Sequence, residues 1–429
     1  MKRILLITTL LISASAFSQF AFNTQYMNRV EYLNGQGKLV QDGQKPGFFL
    51  SQRIRFGSSY SYDRFKINFT AQDVRVLGST SNLAQDNNGF LSLYEGNVDL
   101  KLSEKFSLKA GRQAIAYDDH RIFGSLDWAM QGRRHDALIF KYKDSTLKVD
   151  AGFAYNQNNA SNSFIQYTVA NNYQNFQYLW LNKKLGKNSL SFLFLNNGVI
   201  YSGLNTNTNA IDTAIAYSQT IGIRNERKGD KLNLLAYAYY QGGSVLGRTT
   251  NAYDLCLEVG YKPTKNWLLT IGSEVLSGTS QTSTTNTQNN TFNPLFGTNH
   301  RFNGYMDYFY VGNSNATGLI DNYLRISLHK NKFTYSLNTH YFNSSADVLD
   351  LNSTSISAMN SHLGTELDFT LLYNYSDFVT LQGGYSQMFG TSTLQTLRGG
   401  SISKASNWSY LMLIVRPGNK KNPKVGLKM

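Results

Sequence analysis

The chain has a single cysteine, Cys256, among its 429 residues. A lone thiol cannot close an intrachain disulfide, so a disulfide-stapled scaffold is excluded, and with it a metal site built on several thiolates. Proline is scarce, at five residues, which leaves long runs of backbone with every N–H free to join a ladder. Charge is sparse as well: 16% of residues are Asp, Glu, Lys or Arg, against about 25% in an ordinary soluble domain. Nowhere do 18 apolar residues follow one another, so no segment reads as a spanning helix. A Gly-x-x-x-x-Gly-Lys loop is also missing, which argues against nucleotide-driven pumping.

What the chain does have is aromatic and polar. It carries 28 Tyr and 26 Phe, 14% aromatics in all, with 35 Gly. At the start, Lys2 and Arg3 precede a short apolar run from Ile4 to Ile12, and "SASAFSQ" follows with small residues at cleavage spacing. Residues 1–18 therefore read as a secretory signal cut before Gln19, rather than as a buried helix. The formal net charge of +14 would suit nucleic acid, but an exported, Tyr-rich chain has little occasion to meet it. Anionic sugars and lipopolysaccharide fit that compartment better.

Period-2 alternation runs through the chain. "YDLCLEVGY" puts Tyr253, Leu255, Leu257, Val259 and Tyr261 on one face, opposite Asp254, Cys256, Glu258 and Gly260. "LKVDAGFAY" does the same, with Leu147, Val149, Ala151, Phe153 and Tyr155 opposite Lys148, Asp150, Gly152 and Ala154. In "HLGTELDFTLLY", Leu363, Thr365, Leu367, Phe369, Leu371 and Tyr373 face away from His362, Gly364, Glu366 and Asp368. Such patterns describe a sheet with one apolar and one polar face.

The connections alternate in length. Short polar turns fall near 61–64, 103–105, 143–145, 185–188, 227–230, 262–266, 329–332 and 375–377. Between them lie long Asn/Ser/Thr/Gly-rich stretches near 34–46, 78–88, 117–132, 156–173, 201–213, 242–250, 279–318, 343–360 and 390–404. A bilayer demands that every backbone polar group be paired, and a closed barrel does this with strands alone. Short periplasmic turns and long outer loops are the rhythm of outer-membrane barrels; a soluble β-sandwich has no reason for it. The expected fold is all-β, a transmembrane antiparallel barrel of about 18 strands over 19–416, with a basic periplasmic tail at 417–429. Tyr60, Tyr155, Tyr261, Trp267, Tyr373, Phe378 and Trp408 are expected to form its aromatic girdles, and Cys256 to sit in the lumen as a small filler.

Four stretches carry a resemblance to a known family: "QDVRVLG" at 72–78, "LYEGNVDL" at 93–100, "GRQAIAYDDHRIFGSLDW" at 111–128 and "NPLFGTNHRFNGYMDYF" at 293–309. Together they resemble the alginate-export family of outer-membrane porins. The resemblance implies an 18-stranded barrel passing acidic polysaccharide through a lumen lined by arginines and a few carboxylates. It places Arg112, Arg121 and Arg133 in the pore-lining motif, with Asp73 and Arg75 as neighbours. The chain departs from the family in ending its last strand without an aromatic and in being short, so the sugar stays open.

Parity adds further lumen candidates. Arg53 and Arg55 lie opposite Leu50, Ile54 and Phe56; Glu95, Asp99 and Lys101 share a face, as do Arg224 with Glu226, and Asp321 with Arg325. A lipid-facing Arg or Lys at mid-membrane costs roughly 2–4 kcal/mol, so these side chains are expected to point inward. For Asp73 and Arg75 the local parity requires a bulge to achieve that. Arginine rings concentrate anions and their planar forks match carboxylates, while the plainer role is to brace the wall through ion pairs.

The dense block Gly111–Lys143 is read as pore wall and rim. Asp118, Asp119, His120 and Asp136, or Ser125 with His120 or His135, offer material for a rim hydrolase, but no nucleophile–base–oxyanion signature accompanies them. His300 reads as a residue that orders its loop rather than a ligand. The expectation is a monomeric, non-enzymatic, cofactor-free porin of a Gram-negative outer membrane. It would sit in lipid and lipopolysaccharide, carry an anionic sugar, draw on a periplasmic export machine or a gradient, and have no dealings with nucleic acid. A general diffusion porin and a plugged structural or adhesin barrel are the alternatives.

Overall fold

The computed structural model describes residues 19–79, 91–163, 169, 172–205, 210–285, 287–310 and 316–417. The expected signal peptide, most of the 78–88 connection and the basic tail from 418 onward lie outside the described residues.

The strands are β1 (Phe20–Asn34), β2 (Gly47–Tyr62), β3 (Phe65–Val76), β4 (Leu91–Lys101), β5 (Phe106–Gln113) and β6 (His135–Lys143). They continue as β7 (Leu147–Tyr155), β8 (Asn175–Leu185), β9 (Asn188–Asn205), β10 (Ala210–Lys228), β11 (Leu232–Val245) and the two-residue β12 (Arg248–Thr249). Then come β13 (Ala252–Tyr261), β14 (Trp267–Leu276), β15 (Leu319–Lys330), β16 (Phe333–Asn343), β17 (His362–Asn374), β18 (Val379–Gly390) and β19 (Ser406–Val415). A short helix, α1 (Ser392–Arg398), is capped by the Thr391 side chain.

Each wall strand pairs antiparallel with the next, and β19 returns to pair with β1, Tyr26 opposite Val415. The sheet is therefore a closed barrel of 18 strands, with β12 folded back on the end of β11 outside the wall. Closure removes every edge strand, as a bilayer requires. Phe20 pairs with Tyr60 and Val415 with Val379, so both ends of the wall lie beside the short turns.

One connection is shorter than its composition suggests. The 201–213 stretch reads as a long loop, yet β9 and β10 run through it and still pair at Asn205 and Ala210. Beyond the bilayer a hairpin needs paired backbone rather than apolar side chains, so an Asn/Thr-rich sequence is compatible with strand.

The faces follow the alternation. Leu255 and Leu257 are 44% and 56% exposed, while Asp254 and Cys256 between them are 0% and 8%. Outward side chains form the lipid belt, closed at the short-turn end by aromatic pairs such as Phe106–Tyr142 and Phe333–Tyr373, with ring centroids 4.9 and 4.6 Å apart. Two details differ from simple parity. Leu363 is fully buried, because the β16–β17 register slips between Phe342 and Asn343 and leaves it in a bulge. Trp408 belongs to no girdle: it points inward, fully buried, and donates Nε1 to Glu31.

Leu257→Arg is expected to destabilise the folded barrel by about 2–4 kcal/mol, since it places a charge in the lipid belt. Urea titration in liposomes reads this. An unchanged midpoint would mean that this face does not meet hydrocarbon.

Candidate functional site

The lumen is filled at its outer half by two loops. After β5 the chain turns inward at 114–134, where Ala114 N donates to Glu95 Oε1 at 3.1 Å. The 277–318 loop meets it from the other side. Gly124 N donates to Phe296 O, Thr298 N to His120 O, and Arg133 to Gly297 O. Gly124 is required where the two backbones cross, because a Cβ there would lie 2.3 Å from Thr298 Oγ1. The Gly111–Lys143 block, read from sequence as wall and rim, thus supplies an inward constriction as well. Wall aromatics with inward parity, Phe176, Tyr178, Trp180, Trp408 and Tyr410, need apolar partners, and Phe123, Trp128 and Phe296 supply them.

On one side, β1–β3 grip residues 127–131. Arg53 donates to the carbonyls of Asp127, Ala129 and Met130 at 3.2, 3.2 and 3.0 Å, and Arg55 reaches Asp127 Oδ1 at 2.8 Å. Arg29 donates to Trp128 O at 2.9 Å and lies over its indole. Across the lumen, Arg121 is wholly buried between Asp254 of β13 and Glu274 of β14, at 3.0 and 2.9 Å. Asn303 of the second loop donates to Glu274 and Asp321 at 2.6 and 3.2 Å, binding both loops to one acidic patch. His340 completes that patch on Asp321, at 2.9 Å.

Below the loops a cavity of about 810 Å³ extends toward the short-turn end, where Asn23, Lys228 and Arg416 line it. Its roof includes Asp119, His120, Trp128 and Arg301. Arg224 pairs with Asp119 at 3.2 Å and Arg325 with Glu258 at 3.2 Å. The walls hold six Lys or Arg and seven Asp or Glu, so positive charge does not predominate in number. Its distribution matters more. Asp118 is held by Trp180 Nε1 and Ser191 Oγ, and Glu274 by Arg121, whereas Arg301 and Arg416 have no ion-pair partner among the described residues.

The twelve residues singled out from sequence divide three ways. Arg53, Arg55, Glu95, Asp99, Arg224, Glu226 and Arg325 project inward from the wall. A bulge at Tyr94 restores the inward parity of Glu95 and Asp99 and places Tyr94 under the Arg55 guanidinium, 3.5 Å away. Arg121 and Arg133 sit in the inward loop. Asp73, Arg75 and Arg112 do not line the lumen. Asp73 lies opposite outward-facing Ile54, and its partner Arg75 shares that face; the nearby bulge falls in β4, not β3, and so cannot turn them in. Arg112 follows the outward parity of Leu108 and Ala110 and pairs with Asp136 at 2.7 Å on the exterior.

Sequence reasoning missed Arg301 and Arg29 with Glu31. Arg301 stands in the "NPLFGTNHRFNGYMDYF" stretch at 293–309, but nothing in a loop's alternation says which way it points. Of the residues in the hydrolase reading, His135 Nδ1 meets Tyr173 OH at 2.9 Å, Asp118 is held by Trp180 and Ser191, and Asp136 pairs with Arg112. His300, read as ordering its loop, pairs with Asp307 at 2.7 Å while stacking on Trp128. Among the described residues no group of His, Cys, Asp and Glu is arranged to hold a metal.

Electrostatics around the loops are uneven. Burial lowers the proton affinity of Arg301; Asp119 opposes this, and the Arg325 and Arg224 guanidiniums add to it. Arg416 is lowered by burial too, against Asp127 and with Arg55. Asp127 would be raised by burial, but Arg53 and Arg55 outweigh that and hold it below the usual carboxylate range. Crowded guanidiniums of this kind are relieved by an anion.

The family described as Alginate export matches residues 18–401 of this sequence. The chain belongs to the alginate export family. No curated protein matches it in sequence. Among solved structures, this family member is similar to Acinetobacter baumannii OccAB4, at 11% identity and a TM-score of 0.60, covering 92% of this chain and 98% of that one. Pseudomonas aeruginosa OpdQ aligns at 12% identity and a TM-score of 0.59, covering 93% and 98%. P. aeruginosa OccK9 (OpdG) aligns at 11% and 0.59, covering 92% and 98%. At such identities the likeness shows the fold alone. Family and fold together make this member of the alginate export family an outer-membrane channel.

Proposed function

We propose that this channel carries anionic oligo- or polysaccharide through the cavity beneath its two inner loops. The observation behind the proposal is that Arg224, Arg301 and Arg325 converge on that cavity, and Arg301 lacks an acidic partner among the described residues. A guanidinium fork donates bidentately to a sugar carboxylate. In this reading the working unit is a monomer in outer-membrane lipid and lipopolysaccharide. It is driven by a gradient or a periplasmic export machine and performs no catalytic step.

Arg301→Ala is expected to shift the reversal potential in a KCl gradient toward zero. It should also weaken block by an acidic oligosaccharide about 10-fold, the loss of a hydrogen-bonded charge. Cation selectivity in the wild type would sink the proposal, and a near-zero reversal potential would leave a general diffusion porin.

The packed outer lumen favours a second reading, a plugged structural or adhesin barrel. That reading requires no single-channel conductance either in the wild type or after removal of the 114–134 loop.

A further inference from the structure

We infer that the short-turn mouth of the barrel, periplasmic in outer-membrane barrels, is a receiving surface for a polyanionic chain, which loads from that side. This deepens the function proposed above and rests on that reading for what happens beyond the mouth. The turns and strand ends at 63–66, 101–105, 141–148, 183–187, 226–231, 262–265, 330–332 and 375–378 hold seventeen Lys or Arg and six Asp or Glu. Of the 19 lysines between residues 19 and 417, 15 lie in these segments. Five outer connections, 35–46, 156–174, 246–251, 344–361 and 391–405, hold only five Lys or Arg and three Asp or Glu. The excess positive charge is thus gathered at one end, mainly as lysine, while the cations lining the cavity are mainly arginine.

Much of that lysine looks inward. Lys66 stands opposite Asp99 on the lumen face, Lys101 continues the parity of Glu95 and Asp99, Lys184 that of Trp180 and Asn182, and Lys228 lines the cavity. Lys143 and Lys148 are direct cross-strand partners on that same face. Like charges directly opposite one another are destabilising, and neither has an ion-pair partner among the described residues. A wall needs no such pair, but a site for a multiply charged anion does. Phosphate headgroups of the adjoining leaflet suit the outward lysines, Lys183 and Lys330, and cannot reach the inward arc that runs from β3 to β10. A flexible strongly hydrated ammonium on a long stem suits capture and release of a passing carboxylate better than a rigid fork.

The test uses the full barrel inserted in one orientation in a planar bilayer. An oligogalacturonate of about ten sugars is added to either side, with galacturonate monomer as control. Expected is a blocking on-rate at least 10-fold higher from the short-turn side at low salt, falling steeply as salt rises, with little sidedness for the monomer. The variant Lys66→Gln/Lys143→Gln/Lys148→Gln/Lys184→Gln should lose that advantage and keep the slower outer-side rate. Lys143→Gln alone should lose two- to three-fold. Heat-modifiable gel mobility reports that each variant is folded. Where no conductance is seen, binding of the same oligomer to the detergent-solubilised wild type and quadruple variant gives the same comparison. Equal rates from the two sides, or a quadruple variant that blocks like wild type, overturns the inference. A sided, lysine-dependent block with no anion preference in the KCl reversal potential would instead retain the mouth and remove the arginine conduit.

Discussion

Replacing Arg121 with alanine is expected to raise single-channel conductance several-fold and to lower the stability of the folded barrel by about 3–5 kcal/mol, the scale on which an orphaned buried ion pair is felt. Arg121 is the only cation within ion-pair distance of Asp254 and Glu274 among the described residues, and all three side chains are nearly or wholly excluded from solvent. Its removal leaves two carboxylates facing each other without a counter-charge, and they must spread or take up a proton. Because Asn303 shares Glu274, the second loop loosens with the first. Arg121→Ala combined with Asp254→Asn and Glu274→Gln removes the repulsion while leaving the loop untied. Stability should then recover in part while conductance stays high. Conductance equal to wild type in both variants would show that the loops are held by packing alone.

Trp128→Ala is expected to cost about 3–5 kcal/mol, the range for deleting a large buried aromatic. The indole is 8% exposed, stacked on His300 with centroids 4.6 Å apart and met edge-on by Trp408 and Tyr410. Deleting it opens a void where both loops and β19 converge, so the thermal transition should fall and protease should cut within 126–131. Trp128→Phe keeps most of the contact area and should recover the larger part. A protease pattern identical to wild type in Trp128→Ala would mean that the arginine contacts to the 127–130 carbonyls suffice to hold the loop.

Much of this architecture was legible because a wall between lipid and water writes itself as alternation. Asp254, Cys256 and Glu258 could be assigned to the lumen from their neighbours alone, and Arg53 and Arg55 likewise. The rhythm of turn lengths supplied the strand number. The bulge at Leu363 breaks the pattern, since one extra residue inverts the parity on its far side. The resemblance places Arg112 in the pore, whereas its own parity, continuous with Leu108 and Ala110, points outward. The inward course of the 114–134 and 277–318 loops left no periodic trace. A signal did exist in the lumen-facing aromatics Phe176, Tyr178 and Trp180: a water-filled pore has no use for three such side chains in a row, and something apolar had to cover them.

The joint between Phe20–Asn34 and Ser406–Val415 sets the order of assembly. Every other wall pairing joins segments consecutive along the chain and can zip locally, but Tyr26 meets Val415 only when the whole polypeptide has been delivered. A chain halted before residue 406 would present two bare margins, one at each end of a curled ribbon, each offering a row of unmet amides to another copy. Completion of this molecule is a single late event, and truncation at the carboxyl end should yield aggregates rather than a narrower pore.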